Sequence, residues 1–246
     1  MAGIQSKQVY NRVMAQAVIA SAPVTHRAKP HWLASHWFAA FVAGYGAWIL
    51  LPWLAPIFMH VGWNNAGGLL YSIYSLFCHQ LPERSYFLFG QQIAYPLDAI
   101  RAAWQDTADP MVLRRFIGNE WMGWKVAWSD RMISFYSSIW LFALAWLPLR
   151  RKAAPLSWWV FLALLLPMGV DGLTHAISDL AGIGVGFRDT NQWLAALTGH
   201  AFPAAFYAGD APGSFNSSAR WVTGILAALG VVWFALPHME RSLEPA

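Results

Sequence analysis

The residues able to do chemistry fall in four short blocks: Cys78, His79, Gln80, Glu83 and Arg84; Asp130 and Arg131; Asp171 and His175; and Arg220. Four readings suit this set. Its acids and bases can pair with one another as an ion-pair cluster that fixes helix packing, because an unpaired charge near hydrocarbon is costly. They can equally line a ligand pocket. Cys78, His79 and His175 are legitimate transition-metal donors, but Cys78 and His79 are adjacent, and neighbours rarely ligate one ion without strain. The spacing therefore assigns no metal site, and these three residues are its weak candidates. A proton-handling or quinone-type site would use His79 or His175 as the titrating group. Asp171 and His175 are four apart and so share one face of a helix.

The elements that must position these residues follow from composition. Of 246 residues, 57% are hydrophobic and 11% charged, against roughly 25% charged in an ordinary soluble domain. Such a chain must turn apolar surface toward lipid. The 16 Trp and 8 Tyr agree, since amphipathic rings favour the membrane interface. The net charge of +4 is spread over short segments and reads as topology information, with no nucleic-acid footprint. The lone Cys78 excludes an internal disulfide framework and a CxxC metal knuckle.

The expected fold is all-α: a polytopic membrane helix bundle of about four spanning helices, with a re-entrant or interfacial half-helix and two long outer loops. The spans are placed near 37–59, 132–149, 156–175 and 221–236, and the half-helix at 67–80. The single membrane domain is 37–237, preceded by a basic arm over 1–36 and followed by a tail over 238–246. Lys7, Arg12, Arg27 and Lys29 suit an arm lying on anionic headgroups. That arm and Arg150, Arg151 and Lys152 carry no acid among them, so both are expected on the cytoplasmic side of the inner membrane. Both termini are then cytoplasmic, and the four blocks gather toward the opposite face. The loops over 81–131 and 172–219 are long enough to have a function or a partner.

The block Cys78-His79-Gln80-Leu81-Pro82-Glu83-Arg84-Ser85, followed by Phe87 and Gly90, resembles an uncharacterised bacterial and archaeal membrane-protein family, domain of unknown function 2085. Pro167 with Asp171-Gly172-Leu173-Thr174-His175 is similar to that family's third block, and Arg220-Trp221-Val222-Thr223-Gly224 to its last. The second block departs: Arg131 and Tyr136 keep their places, but Ser129 and Met132 stand where the family has cysteines, and His175 replaces its usual Gln. The resemblance implies no reaction. It implies that His79, Arg84, Arg131, Asp171, His175 and Arg220 are neighbours.

Two functions are open. An accessory or scaffold subunit of a larger membrane complex, respiratory or photosynthetic, would have no catalysis of its own. Its partners would be the bilayer and other membrane subunits. A small membrane enzyme or transporter would instead use the polar cluster as a ligand, proton or metal site. No nucleophile elbow, phosphate-binding loop, HExxH or haem-attachment motif is present. No motif encodes a cofactor, which leaves bound lipid or pigment compatible with the chain.

Overall fold

A computed structural model describes residues 32–150 and 152–243. The basic arm expected over 1–36 lies outside the described residues except for its last five positions, which begin the first helix. Among the described residues, four helices are long and apolar enough to cross a membrane: Ser35–His60, Asp130–Leu149, Trp158–Asp179 and Phe215–Leu243. The protein is a helical membrane bundle with a small sheet.

Helix α1 (Trp32–His60) ends in a tight reversal. Gly62, at φ +80, lets its own N–H reach the Met59 carbonyl while Trp63 N–H reaches Phe58. This is the glycine-dependent Schellman end. It returns the chain into α2 (Asn64–Tyr74), which has 11 residues and spans only about 16 Å. Helix α2 folds back on α1: a Cβ at Gly67 would lie 2.6 Å from Met59 Sδ, and Tyr74 Oη donates to the Trp48 carbonyl at 2.7 Å. The half-helix is shorter than 67–80 at its far end. It ends at Tyr74, and a turn leads into Cys78-His79-Gln80, where Gln80 takes left-handed backbone at φ 53.

Helices α5 (Asp130–Trp146), α6 (Trp158–Asp179) and α10 (Phe215–Leu243) complete the bundle. Helix α10 approaches α5 where a Cβ on Gly224 would come within 2.5 Å of Ser134 Oγ. Ser134 Oγ in turn donates to the Trp221 carbonyl. Helix α10 also continues to Leu243, well past the expected end near 236. Pro237 cannot donate to the Trp233 carbonyl one turn back. Leu156 N–H takes that carbonyl instead at 3.1 Å, so the helix carries on. At this end of the bundle Arg150 pairs with Glu240 at 2.7 Å, and Trp37 Nε1 donates to the same carboxylate.

At the other end the two long loops form a folded cap. It holds α3 (Leu97–Ala103), α4 (Pro110–Leu113), α7 (Phe187–Thr190), α8 (Gln192–Leu197) and α9 (Ala204–Tyr207). Strands β1 (Ser85–Leu88), β2 (Gly118–Asn119) and β3 (Gly123–Ser129) form an antiparallel sheet in the order β1-β3-β2. Ile183 from the second loop packs with Leu81, Phe87, Ile100, Leu113 and Met122 of the first, so the loops share a core. Strand β3 runs directly into α5 and sets the position of Asp130.

Candidate functional site

The beginnings of α5 and α10 and the end of α6 meet under the cap. Four guanidiniums and four carboxylates interlock there. Arg131 Nη2 donates to Asp171 Oδ2 at 2.7 Å, and Arg188 Nη2 to the other oxygen of Asp171 at 2.7 Å. Arg220 Nε donates to both oxygens of Asp130 at 2.8 and 2.9 Å, and its Nη1 to Asp210 at 2.5 Å. Arg84 grips Asp179 with two bonds of 2.7 Å and sends Nε to Asp210 at 2.9 Å. The ring of His175 lies between two cations, with Nδ1 3.3 Å from Arg131 Nη2 and Nε2 3.4 Å from Arg220 Nη1. Bidentate geometry of this kind suits guanidinium–carboxylate pairs withdrawn from water.

Asp130, Arg131, Asp171, His175, Arg220 and Arg84 thus come together. Sequence reasoning missed Asp179, Arg188 and Asp210 as members. Asp179 had a signal, since it lies eight residues after Asp171 on the same face of α6. Arg188 and Asp210 had none: the turn through Gly182 and Gly184, both at positive φ, brings Arg188 back onto α6. Asn216 then fixes it, accepting from Arg188 Nε at 3.2 Å and donating to its carbonyl at 2.7 Å. Burial alone would raise Asp210, but Arg84 and Arg220 outweigh it and hold the carboxyl well below the usual range.

The remaining sequence candidates lie to one side. Cys78 Sγ sits 3.4 Å from Ser129 Oγ and accepts from the backbone N–H of Gln80 and Ser129. Gln80 is buried and donates to the Tyr71 carbonyl at 3.0 Å, and His79 is exposed. Two positions at which the resembled family has cysteine, 78 and 129, therefore touch here. With a hydroxyl at one of them, the described residues contain no group of three or more His, Cys, Asp or Glu able to hold a metal ion.

Glu83 is buried, and neither carboxylate oxygen accepts a hydrogen bond from another residue; the nearest cation, Arg84 Nε, is 3.8 Å away. Burial pushes its carboxyl up to about 7, opposed by Arg84. Burial likewise lowers Lys125 to about 7. The Lys125 ammonium donates to the carbonyls of Gln80 at 2.6 Å and Arg114 at 2.8 Å.

A cavity of about 480 Å³ opens beside the network. Seven residues singled out from sequence line it: Cys78, His79, Gln80, Arg84, Arg131, His175 and Arg220. Glu83, Asp130 and Asp171 do not. Arg114 adds a further cation to its wall and Asp179 is its one acid, while Phe77, Met111, Met132 and Leu180 supply apolar surface.

The model of the family described as "Predicted membrane protein (DUF2085)" matches residues 120–208. It is the family that the motif blocks resemble. Its matched region runs from β3 through α5 and α6 to the end of the cap, and so holds Arg131, Asp171, His175 and Arg188. An uncharacterized protein of the archaeon Methanocaldococcus jannaschii, MJ1492, is 26% identical over 193 residues, covering 75% of this chain and 80% of its own length. No solved structure matches.

Proposed function

We propose that this membrane protein binds an anionic amphiphile, holding an acidic head group in the 480 Å³ cavity while the apolar tail stays in lipid. One observation carries the reading: the cavity joins a polar wall to an apolar, exposed rim. On the polar side stand Arg114, His79 and His175, with Arg84, Arg131 and Arg220, whose guanidiniums are already paired with Asp179, Asp171 and Asp130. Among them Arg131 Nε is buried with no hydrogen-bond partner. At the rim Phe77 is 50% exposed, Met111 56% and Leu180 87%. Leu180 extends a stripe of exposed residues along α6 (Leu166, Val170, Leu173 and Ile177) that is suited to acyl chains. Guanidiniums at a membrane boundary favour phosphate or carboxylate heads. By the positive-inside rule, the basic residues near the opposite end favour a non-cytoplasmic position for this cavity.

The test is native mass measurement of the full chain released from nanodiscs of mixed phosphatidylglycerol and phosphatidylcholine. The expected result is a retained phosphatidylglycerol that is lost when His79→Ala and Arg114→Gln are combined, with no stabilisation by inorganic phosphate alone. A chain that retains neither lipid, or both equally, overturns the reading.

The accessory-subunit reading has one supporting observation, the apolar cap residues Ile93 and Trp121, exposed at 64% and 52%. Under that reading, gentle extraction from the native membrane yields a stable assembly with other membrane subunits. A lone 27.5 kDa species counts against it.

A further inference from the structure

A second cavity, of about 300 Å³, lies within the cap. Four acids line it, Glu83, Asp98, Asp189 and Asp210, with no basic side chain. Adjacent residues serve opposite cavities, since Arg84 lines the larger one and Glu83 this one. Asp210 is already neutralised by Arg84 and Arg220, and Asp189 accepts from the Gly186 N–H at 2.8 Å. Glu83 is different. Its side chain is 3% exposed, no other residue donates a hydrogen bond to either oxygen, and Arg84 Nε, 3.8 Å away, is bonded to Asp210. Lys125, whose charge acts on Glu83, directs its ammonium to two backbone carbonyls instead. A carboxylate withdrawn from water without hydrogen bonds is costly, and a cationic donor placed against it relieves that cost.

We propose that this acidic cavity binds a small organic cation carrying primary ammonium groups, with Glu83 as the buried anchor and the exposed Asp98 at the mouth. A bare metal ion does not suit the site, because no three of its carboxylates stand close enough to share one. Carboxylates spread around a cavity of this size suit a short chain with N–H donors at both ends. A short aliphatic diamine has that form. Each ammonium offers three N–H donors, so charge and hydrogen-bond demand are met together. Burial favours the protonated form of Glu83 near neutral pH, and a bound ammonium would supply the compensation that the proton otherwise gives.

Calorimetric titration of the full chain in nanodiscs with 1,4-diaminobutane tests this. Controls at matched ionic strength are sodium chloride and tetramethylammonium chloride, which carries the charge without N–H donors. The expected result is saturable binding of the diamine alone, weakened at least about thirtyfold in Glu83→Gln and about threefold in Asp98→Asn. Asp98 is exposed, so its variant reads the site even if Glu83→Gln does not fold. Absence of diamine binding, equal binding of sodium or tetramethylammonium, or unchanged affinity in either folded variant overturns the proposal. Neither variant alters the lining of the larger cavity, so failure here leaves the amphiphile reading standing, and the converse holds.

Discussion

Replacing Asp210 with Asn should loosen the cap from the bundle. Asp210 is buried and joins Arg84 at 2.9 Å to Arg220 at 2.5 Å, and its backbone carbonyl accepts a further bond from Arg220 at 3.2 Å. An amide keeps one acceptor and turns an NH₂ toward the other guanidinium. Breaking a buried ion pair costs about 3–5 kcal/mol. The lower end applies here, because Arg84 keeps Asp179 and Arg220 keeps Asp130. About 3 kcal/mol corresponds to a fall in melting temperature of about 6–12 °C for a chain of this size. The tryptophan emission of the detergent-purified chain reports it, and the exposed Asp106, 3.9 Å from the half-buried Arg101, is the control. Asp106→Asn should melt with the parent. The Asp210 carboxyl is held below the ordinary range in the fold. Its contribution is therefore complete at neutral pH and disappears only as acid protonates the folded carboxyl. An Asp210→Asn chain melting within about 2 °C of the parent would refute the argument that this network holds the cap.

Stability should dip near neutral pH. Between 4.5 and about 7 the folded chain binds more protons at Glu83 than the unfolded one, so stability falls as pH rises. Between about 7 and 10.5 the unfolded chain binds more protons at Lys125, so stability recovers. Melting temperatures across that range should show Glu83→Gln flattening the acid limb and Lys125→Met the alkaline limb; unchanged limbs would contradict the assignment. Gly224→Val forces its Cβ within 2.5 Å of Ser134 Oγ and 3.2 Å of the Phe135 amide. Thermal denaturation should show a loss of about 1–3 kcal/mol, and an unchanged midpoint would mean that α5 and α10 are not closely packed there. Cys78 lines the larger cavity and is the chain's one thiol. A small methanethiosulfonate should label it more slowly when phosphatidylglycerol is present, and equal rates would place the lipid elsewhere.

The crossings were legible in the sequence because hydrophobic length is a local property. The uncharged run from Trp37 to Met59 needs no partner to declare itself a span. The blocks around Arg131, Asp171 and Arg220 were legible for a related reason, since charges at helix ends near hydrocarbon must find one another. Other features were decided at long range. Arg84 meets Asp210 across 126 positions, and Arg220 meets Asp130 across 90. The cap sheet was also hidden, because its strands are short and β3 is buried almost throughout, so it shows no alternation that could betray it. Residues 78 and 129 touch only because β3 pairs with β1 and runs straight into α5. The sequence by itself determined that this protein lies in a membrane and which charges must be neutralised. Only the tertiary structure decided which partners neutralise them and which acid, Glu83, is left without a hydrogen bond from another residue, because those pairings depend on two distant loops folding into one core.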